Sequence, residues 1–169
     1  MSLDRSRRVY EGVDRTTPVF ETLVVATDGS AGVSRAVTVA VDLASRFDAA
    51  AHAVYVVDEN ELEAAPDAVR DEMRTALEDR GERAIGEVAD AADGAEIGVE
   101  TAVREGRPAA EITTYARDVD ADAVALGVRG RHGEARFLLG SVAERVVQRC
   151  PVPVLTVRRE SDSASETAD

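Results

Sequence analysis

The sequence predicts an α/β protein with a doubly wound, five-stranded parallel sheet and helices on both faces. Two observations carry this prediction. Short runs rich in valine and alanine alternate along the chain with longer segments whose apolar residues recur at helical spacing. The short runs also lack polar–apolar alternation, which is typical of strands that are buried on both faces of a parallel sheet.

The first half of the chain supplies two strands and two helices. An apolar run predicts a strand at residues 23–27, and alanines and valines at helical spacing predict a helix over 32–47. A second apolar run predicts a strand over 51–57. The acidic segment 58–65 is typical of a loop, whereas the apolar periodicity of 66–92, which opens on a proline, predicts a long helix.

The second half supplies three strands and two helices. Imperfectly alternating apolar residues predict a strand over 97–103, and a proline after glycine and arginine begins a predicted helix over 108–118. An apolar run predicts the fourth strand at 123–126. A helix over 141–148 and a final strand over 153–157 complete the pattern.

Length and composition indicate one domain, because 169 residues of which 44% are hydrophobic suffice for a sizeable core. We assign that domain to residues 21–159. Residues 1–20 are charged and lack periodicity, which predicts a flexible N-terminal extension. The serine- and acid-rich residues 160–169 predict a disordered tail.

The charge pattern is strongly acidic and free of lysine. The formal net charge is −13, and all 20 basic residues are arginines. This charge disfavours nucleic acids and anionic membranes as partners. An acidic excess without lysine resembles proteins of salt-loving organisms, in which high internal salt screens self-repulsion. The absence of lysine also excludes a Walker-type P-loop, which places a lysine on the phosphates.

Few residues are suited to catalysis or metal binding. Cys150 is the only cysteine, which excludes an internal disulfide, and the two histidines, His52 and His132, lie far apart in the sequence. We therefore expect no catalytic set and no protein-held metal. Because neither a signal peptide nor an apolar segment of membrane length is visible, we expect a cytoplasmic protein.

A glycine-punctuated loop joins the fourth strand to the last helix. Gly127 and Gly130 are followed by nine residues and then by Gly140 and Ser141. The glycines are expected to adopt positive φ and admit a ligand closely, and Ser141 to cap the helix. Main-chain amides at a helix start favour an anion, so the loop predicts a phosphate cradle. The alternative is that these glycines are ordinary turn residues. Basic residues near the loop are Arg129, Arg131 and Arg136.

The spacing of these glycines resembles, without departure, the nucleotide-binding signature of the universal stress protein family. The resemblance covers residues 22–158 and includes the segments 26–30, 55–58, 106–108 and 150–154. Family members with the glycine pattern resemble ATP binders, so the resemblance implies an ATP-binding protein. It also favours the strand order 3-2-1-4-5, which is one doubly wound solution.

In that order, the strand sequence reverses between strands one and four, where ligands of doubly wound sheets bind. Asp28 follows strand one and Gly127 follows strand four, so the topology brings both loops together. We expect Asp28 to contact a ribose, a base or a metal held by the phosphates. The alternative is a structural role in the first turn of the following helix.

The resemblance implies further nucleotide contacts. Ala26 and Thr27 match the family's first contacting segment, although many members have proline where this chain has Ala26. Val56 matches the position whose main-chain groups read adenine; its alternative role is that of a core valine. Leu126 would form a wall of the adenine pocket. The full expected set is Ala26, Thr27, Asp28, Val56, Leu126, Gly127, Gly130, Gly140, Ser141 and Val142.

Three functions are compatible with these observations. The first is an ATP-binding regulatory or stress-response module with Mg²⁺ or Mn²⁺ on the phosphates and slow or no hydrolysis, since no candidate base is evident. The second is a homodimeric scaffold that binds no nucleotide and pairs through the last strand, from Val152 to Val157. Family members often resemble such a dimer. The third is a weak ATP hydrolase or nucleotidyl transferase.

Overall fold

The computed structural model describes residues 20–128 and 139–159, and it contains one five-stranded parallel sheet in the order β3-β2-β1-β4-β5. This is the predicted topology. Helices pack on both faces of the sheet. The elements in chain order are β1 (Thr22–Ala26), α1 (Ser34–Phe47), β2 (Ala50–Asp58), α2 (Glu59–Ala64), α3 (Arg70–Gly94), β3 (Val99–Gly106), α4 (Pro108–Asp118), β4 (Ala123–Gly127), α5 (Ser141–Arg149) and β5 (Val154–Val157).

Three predicted segments differ from the structure. The acidic stretch predicted as a loop contains α2, which begins after Asp58 and ends at Ala64. The long helix does not start at Pro66, whose ψ of 142° is extended; a short 3₁₀ turn at Asp67–Val69 precedes α3. The third strand was predicted too early, since β3 begins at Val99 and follows β2 as far as Gly106.

Strand alternation divides the apolar side chains between two cores. Val25, Tyr55 and Ala125 face α1 and α3, whereas their strand neighbours Val24 and Val54 face α4 and α5. Aromatic residues make up only 4% of the chain, so alanine and valine fill most of both cores. Burial on both faces explains why the central strands lack polar alternation in sequence.

Asp122 joins the starts of the two central strands. Its Oδ2 accepts hydrogen bonds from the main-chain N–H groups of Glu21, at 2.7 Å, and Thr22, at 2.9 Å. Asp122 directly precedes β4, and Thr22 begins β1. The carboxylate therefore helps to fix β1 beside β4, the pair of strands between which the strand order reverses.

Tyr55 and Gly81 make a close approach between α3 and the sheet. Tyr55 is fully buried, and a Cβ added at Gly81 of α3 would lie 2.6 Å from its Cδ1. We predict that Gly81→Ala lowers the free energy of unfolding by about 1–3 kcal/mol, because the ring or the helix must move. Urea-induced unfolding followed by circular dichroism measures the change.

Gly86, on the same helix, is the matched control. A Cβ there meets no atom within 4 Å, so Gly86→Ala is expected to stabilise the protein by about 0.5–1 kcal/mol through helix propensity. Equal effects of the two substitutions would contradict the packing described for Tyr55.

Candidate functional site

A cavity of about 210 Å³ opens at the carboxyl ends of β1, β2 and β4. It lies where the strand order reverses, the position at which open α/β sheets bind ligands. The cavity exists because neighbouring strands end at different heights. Pairing of β1 with β2 stops at Ala26 and Val54, while β2 continues to Asp58 alongside β3.

Nine of the ten residues predicted from the sequence line this one cavity. The tenth, Gly130, lies outside the described residues. The nine come from the ends of three strands and the start of one helix, which are far apart in sequence. They are Ala26, Thr27, Asp28, Val56, Leu126, Gly127, Gly140, Ser141 and Val142.

One end of the cavity is formed by the start of α5. Gly140, Ser141 and Val142 line it, so main-chain groups of the first helical turn border the space. The main-chain N–H of Gly140 donates to the C=O of Val128 at 2.8 Å, which joins the end of β4 to the start of the helix. Free N–H groups at a helix start favour an anion there.

The conformation of this end differs from the prediction in two respects. Ser141 does not cap α5; it is the first helical residue, and the capping position is occupied by Gly140. Gly140 has φ −62° and ψ 156°, an extended conformation rather than positive φ, and Gly127 is the last residue of β4. The backbone conformation at these two positions does not require glycine. What the glycines contribute is therefore the lack of a side chain beside the cavity.

The loop after β1 holds Asp28 in a fixed turn. The side-chain oxygens of Thr27 and Asp28 accept hydrogen bonds from the main-chain N–H groups of Gly29, at 3.2 Å, and Ser30, at 2.9 Å. Gly29 has φ +71°, a conformation that side-chain-bearing residues rarely adopt. The turn places the Asp28 side chain at the cavity.

Val56 presents main-chain groups beyond the end of β1. Alternate residues of a strand direct these groups to the same side, and the C=O of Val54 accepts from the N–H of Thr27 at 3.0 Å. The N–H and C=O of Val56 therefore point past the last residue of the β1–β2 ladder. The side chain of Val56 packs in the α4–α5 core, so both roles considered for this residue are compatible with its position.

The structure adds cavity residues that the sequence analysis missed. They are Val33, Val54, Asp58, Glu61, Pro108, Ile112 and Ala143. Asp58 and Glu61 could have been found, because an aspartate followed three residues later by a glutamate is typical of a helix start. The two apolar residues of α4, Pro108 and Ile112, complete an apolar wall with Leu126.

Several side chains anchor α2 as one wall of the cavity. Arg70 donates from Nε to the C=O of Leu62 at 2.9 Å and from Nη2 to the C=O of Ala65 at 3.1 Å. At the other end of the helix, Arg107 Nε lies 2.8 Å from Glu59 Oε1. These contacts hold a six-residue helix that would not be stable alone.

His52 does not line the cavity and is packed among other side chains. It is buried, and its Nδ1 lies 3.3 Å from the Tyr115 hydroxyl and 3.9 Å from Glu100 Oε2. Burial raises the pKa of Tyr115 above its usual value, and the Glu100 charge adds to this increase. Arg104 stacks over the Tyr115 ring at 4.9 Å from its centroid. His132 lies outside the described residues.

Residues 20–128 and 139–159 contain neither a cluster of metal ligands nor a helix of membrane length. Within those ranges, no group of three or more His, Cys, Asp or Glu residues is arranged to hold a metal ion. No helix in them combines the length and the apolar character needed to cross a membrane.

The fold and the cavity together place the chain among the doubly wound α/β proteins, with a candidate ligand site at the reversal of strand order. The sequence model of the universal stress protein family matches residues 20–158. The chain belongs to this family.

Individual relatives agree in sequence and in fold. A universal stress protein of Methanocaldococcus jannaschii is 34% identical over 142 residues, which cover 83% of this chain and 84% of the relative. The structure of UspA from Lactobacillus plantarum superposes with a TM-score of 0.70 at 25% identity, over 82% of this chain and 98% of that one. A universal stress protein solved in complex with cAMP gives a TM-score of 0.61 at 27% identity, covering 82% of this chain and 97% of its own.

The anchoring of α2 gives a prediction about its stability. Arg70→Met keeps the aliphatic stem but removes the two hydrogen bonds to the carbonyls of Leu62 and Ala65. Because these carbonyls close the end of a short helix, we predict that the main-chain amides of α2 exchange with solvent about tenfold faster. Hydrogen–deuterium exchange with mass spectrometry measures this change. Arg80→Met, at an exposed position of α3, is the control, and unchanged exchange in α2 of the Arg70 variant would contradict the anchoring role.

Proposed function

We propose that this protein is an ATP-binding universal stress protein, a regulatory or stress-response module rather than an efficient enzyme. The observation that carries the proposal is the convergence of nine predicted nucleotide contacts on one cavity at the reversal of strand order. One end of that cavity is apolar, and the other is bordered by the start of a helix. A nucleotide has two ends that match them, a base with apolar faces and a chain of anionic phosphates.

The apolar end suits the base. Leu126 and Ile112 provide apolar surface, and the N–H and C=O of Val56 offer a donor and an acceptor beyond the end of β1. A paired donor and acceptor can bind the edge of adenine without a polar side chain. Asp28, held by its turn at the cavity, is then suited to accept from a ribose hydroxyl.

The helix end suits the phosphates. Gly127, Gly140 and Ser141 border this end, and a lysine is absent from the whole chain. Phosphate binding must then use main-chain amides, the dipole of α5 and arginines. We expect Mg²⁺ or Mn²⁺ to arrive on the phosphates. The Asp28 carboxylate, as an alternative to its ribose contact, is an oxygen ligand of the type that these cations prefer.

A relative supports a nucleotide as the ligand class. The universal stress protein solved in complex with cAMP shares the fold at 27% identity and binds an adenine nucleotide. Slow or absent hydrolysis and a cytoplasmic location remain predictions. Adaptation to high salt is also a proposal, supported by a net charge of −13 and the exclusive use of arginine as the basic residue.

Gly140 offers a sharp test of the phosphate position. Aspartate and asparagine are both good residues for a helix capping position, and they have the same size. We predict that Gly140→Asp weakens Mg-ATP binding at least about tenfold more than Gly140→Asn, since only aspartate places a negative charge beside the phosphates. Isothermal titration calorimetry in high salt measures both affinities.

Two outcomes would count against the proposal. The first is a wild-type protein that shows neither heat nor saturation with Mg-ATP and carries no adenine nucleotide on purification. The second is an equal affinity of the two Gly140 variants, which would move the phosphates away from the start of α5.

A homodimer formed through the last strand is a second candidate, compatible with the first. β5 is an edge strand of the sheet, and Val154, Leu155 and Thr156 are only half-buried. An apolar groove of about 220 Å³ lies beside its start, and its lining includes Phe20, Phe47, Val154 and Leu155. The unpaired N–H and C=O groups of an edge strand are a ready template for pairing with another chain.

The hydrogen bonds of β5 allow its open edge to be tested alone. The C=O groups of Pro153 and Val157 accept from the N–H groups of Val124 in β4 and of Val128 just after it, at 2.9 Å each. By alternation, the N–H of Thr156 points away from β4 to the open edge. We predict that Thr156→Pro shifts the protein from dimer to monomer in sedimentation velocity, because proline removes that donor. Thr156→Val keeps the donor and is the control. A wild-type protein that sediments as a monomer would contradict the proposed dimer.

A further inference from the structure

Asp58 stands beside the part of the cavity assigned to the base. It is the last residue of β2, and its side chain lies on the same face as those of Val54 and Val56, because side chains alternate along a strand. All three residues line the cavity. Two residues of strand span about 6.6 Å, so the Asp58 carboxylate is a near neighbour of a ligand held by the main chain of Val56.

The orientation of this carboxylate is fixed by α2. Oδ1 accepts from the main-chain N–H of Asn60 at 3.0 Å and from its Nδ2 at 2.8 Å. Both bonds end on the same oxygen, and Asp58 is the capping residue of the helix. The other oxygen, Oδ2, is therefore the one that can accept from a ligand in the cavity.

The helix that orients Asp58 is itself held from both ends. Arg107 pairs with Glu59 beside the cap, and Arg70 binds the two terminal carbonyls. A hydrogen-bond acceptor held in this way loses little freedom when a ligand binds, which increases the selectivity that it can provide.

Charge further defines this end of the cavity. Glu61 lies one helical turn after Asp58 and lines the same cavity. Two carboxylates therefore lie on the α2 side of the cavity, and the start of α5 forms a different side. Carboxylates repel phosphates and accept from amino groups. A nucleotide is thus directed with its phosphates toward α5 and a hydrogen-bond donor of its base toward Asp58.

We propose that Asp58 is a specificity-determining residue that selects purine nucleotides with an amino group at position 6 over those with a carbonyl there. The inference rests on the proposed nucleotide site and adds a base-selecting residue to it. An exocyclic amine donates to Oδ2, whereas a carbonyl places two acceptors against each other and leaves both unpaired. Such a mismatch is the usual source of strong discrimination between similar ligands.

The test compares ATP with ITP, which differ at this position of the base. Asparagine can replace Asp58 as the helix cap only if its oxygen accepts from Asn60, and its amino group then takes the place of Oδ2. We therefore expect Asp58→Asn to weaken the binding of ATP and to strengthen the binding of ITP. The ratio of the two affinities should shift by at least about tenfold toward ITP. Titration calorimetry of the full chain with each magnesium-loaded nucleotide gives the ratio.

Two variants accompany this measurement. Asp42→Asn, on the exposed side of α1, removes the same charge far from α2 and should leave the ratio unchanged. Asp58→Ser retains a capping hydroxyl but is too short to reach the base, so it should lose affinity for ATP with little change for ITP. It supplies the answer if the asparagine variant does not fold.

The outcomes distinguish a failure of the proposed nucleotide binding from a failure of the role given to Asp58. A wild-type protein that binds neither nucleotide overturns the proposed function. A protein that binds ATP, with a ratio that does not change in the folded Asp58 variants, overturns the role of Asp58 alone. An equal weakening of ATP and ITP also overturns it, since a purely structural cap would produce that result.

Discussion

The unequal lengths of adjacent strands are the constraint on which the rest of the site depends. β2 continues beside β3 to Asp58, whereas its pairing with β1 stops at Val54. β4 likewise pairs with β1 only as far as Ala125. The sheet therefore has a step at the reversal of strand order. That step exposes main-chain groups of β2 and leaves room for a ligand between the loops that follow β1 and β4.

The same step explains why the cavity combines unlike chemistry in a small space. Side chains on this face of the sheet belong to the α4–α5 core, so the cavity floor is apolar. The loops and helix starts above it contribute carboxylates, hydroxyls and main-chain groups. A chain without lysine can bind phosphates in such a place only through groups that the backbone and arginine supply.

The sequence predicted the central strands because they carry their signal in their own residues, whereas the strand order was favoured by the family resemblance. The buried runs of β1 and β4 are uniformly apolar, and the glycine spacing identified the loop that follows β4. The far end of β3 could not be found in this way. Residues 104–106 are arginine, glutamate and glycine, and they form a strand because the long β2 provides a pairing partner at the edge of the sheet.

The errors at the site have similar physical causes. Acidic composition concealed α2, although the spacing of Asp58 and Glu61 indicated a helix start. The helix also depends on Arg70, which follows it closely, and on Arg107 from a distant segment, and neither contact is visible in the composition of α2 itself. Ser141 was predicted as the cap of α5, but the capping position belongs to its neighbour Gly140. A one-residue shift of this kind cannot be decided by residue preferences, since serine and glycine both occur at helix starts.

The hydrogen bond between Gly140 and Val128 joins the two ends of the connection between β4 and α5. The chain leaves β4 at Val128 and enters α5 at Gly140, and the main-chain nitrogen of Gly140 lies 2.8 Å from the carbonyl oxygen of Val128. Segments of other lengths and compositions can therefore be grafted between these two points with little strain on the frame, because the entropy of loop closure grows only slowly with length. A change of length between Val128 and Gly140 is therefore expected to cost mainly loop-closure entropy and to leave β4 and α5 in place.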